Sequence, residues 1–204
     1  TAVILLSAAI IYWFIDARNK KLSRQKEQRK ADRVIKYFAS SLHDQQTVET
    51  ILWDVARNCV NFLRFEECFV YLLDDTRNVL VQKAVYRPGD SIRFSLDPPQ
   101  DIPVGTGIVG RIALSGKPEL ITGATAVAED VLVDESNLAE VAVPLIWGGR
   151  VIGVIDWRQS ERNHFTEKHL SVLVTIASLC ANKIIRARAE EEKQRAQTIL
   201  TSTQ

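Results

Sequence analysis

The chain has 204 residues, 46% of them hydrophobic and 25% charged, which suits one packed domain with appendages. Its net charge of +1 hides nine Lys/Arg against three Asp/Glu over residues 16–36, leaving −5 from Tyr37 onward and excluding a general polyanion surface there. The three cysteines, Cys59, Cys68 and Cys180, form no CxxC or Cys/His pair, which excludes a disulfide framework and a zinc site; each is expected to be a small buried hydrophobe.

With no methionine, the chain reads as a piece of a longer protein. Residues 1–15 carry no charge and close with Tyr12, Trp13 and Phe14, directly before the basic run. That order predicts the end of a transmembrane helix, an interfacial aromatic belt and a cytoplasmic positive flank. Residues 16–43 follow as a basic helical connector, in which Ala31, Ile35, Phe38 and Leu42 mark a short coiled-coil seam. Val48, Ile51, Leu52, Val55, Cys59, Phe62 and Leu63 then form an apolar stripe at helical spacing, expected to pack on a sheet.

Short runs rich in Val, Ile and aromatics predict strands over residues 68–73, 79–86, 91–96, 141–147 and 151–157. Turn residues separate them, and Gly148-Gly149 predicts a tight hairpin because a primed turn needs positive φ. The run 68–73 is apolar on both alternations, as a central strand covered on both faces requires. Residues 166–200 lack Gly and Pro and form a long helix. Thr166 is its expected N-cap, with Glu167 but no acid three residues on. Leu170, Leu173, Ala177, Cys180 and Ile184 recur at steps of three and four, and this stripe is the expected dimer seam. Residues 188–204 fade into a charged connector toward a further domain.

Two segments carry a family resemblance. Ile102-Pro103-Val104-Gly105-Thr106-Gly107-Ile108-Val109-Gly110-Arg111 is followed by Ser115-Gly116-Lys117-Pro118. Val143-Pro144-Leu145-Ile146 leads through Gly149-Arg150-Val151-Ile152-Gly153 to Phe165-Thr166-Glu167. In order and spacing these resemble the GAF domain, over residues 44–187, and the arrangement with flanking helices resembles membrane sensor histidine kinases of bacteria. The resemblance implies an α+β fold with a central antiparallel sheet, terminal helices on one face and a ligand pocket on the other. It also implies a homodimer at the inner membrane with the GAF domain in the cytoplasm.

Tyr71, Tyr86, Arg93, Trp147 and Trp157 are the candidate pocket residues. The cyclic-nucleotide signature of GAF relatives falls on Gln159, Ser160, Phe165, His169 and Leu170, where only the Phe is kept. The catalytic cysteine of the reductase relatives falls on Val109. No metal site, cofactor or nucleic-acid partner is expected, and no catalytic activity in this segment. The expected function is signal relay between dimeric helices in a histidine kinase. The alternatives are a small-molecule receptor feeding a cyclase or phosphatase, and a ligand-free dimerisation spacer.

Overall fold

A computed structural model describes residues 2–88, 101–122, 139–161 and 164–202, with side chains from Tyr12 onward. Contacts divide the chain into two units, residues 1–37 and 38–204. The first unit belongs to helix α1 (Ala2–His43), which runs through the basic segment without a break. Within it Tyr12, Trp13 and Phe14 are exposed, and Lys20 pairs with Asp16 at 2.8 Å.

In the second unit, α2 (Val48–Leu63) starts at a reciprocal cap between Thr47 and Thr50 and ends at Arg64 in the left-handed region. Strands β1 (Glu67–Asp74) and β2 (Val79–Tyr86) follow, then β3 (Asp101–Pro103), α3 (Gly107–Ser115) and β4 (Glu119–Thr122). The chain closes with β5 (Ala139–Trp147), β6 (Arg150–Gln159) and α4 (Glu167–Ser202). The six strands form one antiparallel sheet in the order β3-β2-β1-β6-β5-β4. Gly148 and Gly149, both at positive φ, make the β5–β6 turn as expected. The predicted strand over residues 91–96 lies outside the described residues.

β1 sits at the centre of the sheet and alternates its side chains between two covered faces. Cys68 and Val70 are fully buried on the face of α2 and α4. Phe69 and Tyr71 are buried on the opposite face, beneath α3. On the helical face Ile51, Val55 and Cys59 of α2 and Leu173, Ile176, Cys180 and Ile184 of α4 have no exposed surface or almost none. Each such aliphatic side chain contributes about 1.5 to 3 kcal/mol of burial. The last turn of α1 joins this face through buried Phe38 and Leu42. Ser41 Oγ donates to Asp54 at 2.6 Å and accepts from Asn58 at 3.0 Å, which satisfies polar groups packed under that turn.

The expected transmembrane helix over residues 1–15 gains no support. Among the described residues, the helix that contains a stretch long and apolar enough to cross a membrane is Glu167–Thr201. Its Leu173, Ile176, Ala177, Cys180, Ala181 and Ile184 are buried in the domain, as in the core helix of a packed domain.

Candidate functional site

The face of the sheet beneath α3 begins as an ordinary core. Phe69, Tyr71, Leu80, Val85, Ala142 and Val154 pack together under Val109 and Ile112 of α3. Gly110 lets the chain come this close: a Cβ there would stand 2.5 Å from the Pro103 carbonyl oxygen.

Toward one end of the same face the apolar pattern gives way to charge. Asp156 stands opposite Phe69 and Ala142 in the ladder, and Arg158 stands opposite Glu67 and Glu140, so these side chains share one patch. Arg158 Nε donates to Asp156 Oδ2 at 2.9 Å and lies 3.8 Å from Glu140 Oε1. Arg87 donates to Glu67. Both guanidiniums lie over the Phe69 ring, Arg158 at 4.5 Å and Arg87 at 5.1 Å from its centroid.

Burial sets the protonation of this patch. It raises the Asp156 pKa, against the pull of Arg158. Burial and the neighbouring Asp156 push the Glu140 carboxyl up to about 9. Burial opposes the Arg158 charge, but Asp156 and Glu140 outweigh it and raise its pKa. The Tyr71 phenol is also raised, by burial first and then by Asp156. With its pKa pushed up to about 9, the Glu140 carboxyl carries its proton at neutral pH.

Polar atoms are left over. Glu67 Oε2, Asp156 Oδ1, Gln82 Oε1 and Gln82 Nε2 are buried without an N–H or hydroxyl partner among the described residues. Gln82 stands opposite Tyr71 and faces the same side. Three of the four atoms are acceptors, and each such group costs about 1 to 3 kcal/mol when it stays unpaired.

Of the five expected pocket residues, the structure places only Tyr71 here. Trp157 pairs with Cys68 and is buried on the opposite, helical face. Tyr86 shares that face, where Asn61 donates to its hydroxyl at 3.3 Å and Trp53 packs edge-on at 5.3 Å. Trp147 is 49% exposed next to the hairpin, and Arg93 lies outside the described residues. Glu67, Gln82, Glu140, Asp156 and Arg158 were missed. The available signal was a lone acid inside an apolar strand, Val154-Ile155-Asp156-Trp157.

The expected dimer seam also needs correction. Leu173, Ala177, Cys180 and Ile184 are buried within their own domain, and Leu170 is half-buried, so this stripe is closed to a partner helix. The residues at the cyclic-nucleotide positions have local work instead. Gln159 and Ser160 clamp Glu66, with Ser160 N–H donating at 2.8 Å and its hydroxyl at 2.6 Å. The glycine loop spends its own donors, Gly105 N–H on Gly110 O at 2.8 Å and Gly110 N–H on Thr106 O at 3.0 Å. Cys59, Cys68 and Cys180 are free thiols buried on the helical face, and burial raises the pKa of Cys68 and Cys180.

The family model of the GAF domain matches residues 45–184. The fold is similar to a GAF domain of a phosphoenolpyruvate-protein phosphotransferase from Coxiella burnetii, at 20% identity and a TM-score of 0.70 over 79% of this chain and 96% of that one. It is also similar to the free methionine-R-sulfoxide reductase of Neisseria meningitidis in complex with its substrate, at 21% identity and a TM-score of 0.68 over 78% and 91% of the two chains. The corresponding reductase of Staphylococcus aureus gives 19% identity and 0.63 over 76% and 95%. No curated protein sequence matches the chain. The reductases overturn the expectation that this segment has no enzymatic role, because the same fold serves catalysis as well as sensing.

Proposed function

Because the chain belongs to the GAF domain family, we propose that it is a sensory module that binds a small ligand at the polar patch beneath α3 and passes the event to α4. The observation that carries this reading is the carboxyl cluster of Glu67, Glu140 and Asp156 around Arg158, in which Glu67 Oε2 and Asp156 Oδ1 are buried acceptors with no donor among the described residues. A ligand with a cationic N–H group replaces the proton, gives both carboxyls a partner and releases the proton to solvent. Free methionine sulfoxide, a small amino-acid derivative with such an ammonium group, is the substrate of the similar reductases.

The wider setting we propose is a membrane-bound sensor histidine kinase, acting as a homodimer at the inner membrane with this domain in the cytoplasm. Supporting it are the order of apolar segment, aromatic residues and basic run at the start of α1, and the length of α4, whose Ile199 and Leu200 are exposed. The relay is a population shift of α4 between two packings, favoured by a ligand that binds one of them better.

The test is calorimetry of the 204-residue chain with a panel of free L-amino acids and their sulfoxides at pH 7, in two buffers of different ionisation enthalpy. Saturable heat that differs between buffers, and a tenfold or larger loss of affinity in Asp156→Asn measured at a temperature where circular dichroism shows the variant folded, is expected. Absence of heat across the panel, or binding indifferent to Asp156→Asn, overturns the assignment of the site.

A further inference from the structure

Thr166 opens α4: its carbonyl accepts from Leu170 N–H at 3.0 Å, the first bond of the helix. Thr166 Oγ1 accepts from His169 N–H at 3.4 Å, and Thr166 N–H donates to His169 Nδ1 at 3.2 Å. These are the two halves of a capping box, in which the residue at the third helical position is ordinarily Glu or Gln. Here it is an imidazole. A ring nitrogen accepts only when it carries no proton, so the box requires neutral His169 with its hydrogen on Nε2.

We propose that the Thr166/His169 box is a pH-operated catch on the first turn of α4, closed by neutral His169 and released when the ring takes up a proton. The protonated ring loses the acceptor and places a positive charge at a helix N-terminus, where the dipole opposes it. The ring is held among His164, stacked on it at 6.1 Å, Phe65 at 6.5 Å and Phe165 at 6.4 Å. His164 lies 3.1 Å from Glu161; Glu167 and Lys168 precede His169 on its own helix, and Arg64 and Glu66 flank Phe65 in the chain, Glu66 accepting from Ser160. Burial first and then His164 lower the His169 pKa, so the catch stays closed at neutral pH. A lowered folded-state pKa means that the box contributes fully above the unfolded imidazole value of about 6.5. Its contribution is lost as pH falls through the lower folded value. α4 is the element that follows β6 in the chain, so release loosens the start of the helix that leaves the sheet. This device stands independently of any ligand beneath α3.

The experiment is NMR on the 204-residue chain between pH 7.5 and 5, reading the ring nitrogens of His169 and the exchange protection of the Thr166 and His169 amides, corrected for intrinsic rate. Nδ1 is expected to be unprotonated at pH 7.5, and protection to fall about fivefold as His169 titrates, the equilibrium weight of one helix cap. His169→Gln, which keeps an acceptor that does not titrate, is expected to hold protection across the range. His164→Asn is expected to leave the fall in place. A proton on Nδ1 at pH 7.5, an equal fall in His169→Gln, or its disappearance in His164→Asn overturns the proposal.

Discussion

Arg158 Nε on β6 lies 2.9 Å from Asp156 Oδ2 and 3.8 Å from Glu140 Oε1 on β5, and burial pushes the Glu140 carboxyl up to about 9. A carboxyl whose pKa is raised in the fold supports the folded state fully below its unfolded value near 4.5. That support is lost as pH rises through about 9. Glu140→Gln keeps the shape and removes the titration. Its melting temperature relative to the native chain is therefore expected to rise between pH 5 and pH 9, by about 2 to 4 °C for each kcal/mol. Parallel melting curves over that range would show that Glu140 ionises normally.

Gln82 is nearly inaccessible, and both of its amide atoms are without a partner among the described residues. Replacing it by Leu removes two uncompensated polar groups while filling similar space. Stability is expected to rise by about 1 to 3 kcal/mol in urea titration, with weaker binding of any ligand beneath α3. A destabilised Gln82→Leu would show that the amide is satisfied in solution.

Ile184 has no exposed surface on α4. Ile184→Ala is expected to cost about 2 to 5 kcal/mol, because the packed face cannot close the cavity completely. Ile184→Glu is expected to unfold the domain. A folded Ile184→Glu chain that sediments as a monomer would restore this stripe to the dimer interface.

Two glycines separate close approach from backbone conformation. Gly148→Ala meets nothing within 4 Å and pays only for positive φ, about 1 kcal/mol. Gly110→Ala must push the new methyl off the Pro103 carbonyl and is expected to cost clearly more. Chemical denaturation of the two variants side by side checks the order.

Cys59, Cys68 and Cys180 are expected to resist a thiol reagent in the folded chain and to react together on unfolding, because all three are buried out of its reach and burial also disfavours the reactive thiolate of Cys68 and Cys180. Rapid labelling of one thiol under native conditions would reveal an opened helical face.

The antiparallel core was legible because its strands carry their own signals. Residues 79–86 match β2, and the double apolar alternation of 68–73 marks β1 as central. Gly148-Gly149 fixed the hairpin through the φ it needs. β3 and β4 have three and four residues, too few for a period to show, and exist because β2 and β5 offer them open edges. The stripe Leu173, Ala177, Cys180, Ile184 was read correctly as apolar, but periodicity says only that a face is buried, not what buries it. The sheet claimed it first.

The site was the least legible part. Tyr71 and Trp157 are both large aromatics in strands, yet the odd and even positions of paired strands send them to opposite faces. Glu140, Asp156 and Arg158 come from one hairpin and Glu67 from β1, distant in sequence, and only the register of β1, β6 and β5 brings them together. The sequence by itself determined the family, the central strands, the hairpin and the burial of the cysteines, because propensity, turn chemistry and hydrophobic period act over neighbouring residues. Which face each side chain takes and which carboxyl keeps its proton were decided by the tertiary structure, because burial and non-local partners set those energies.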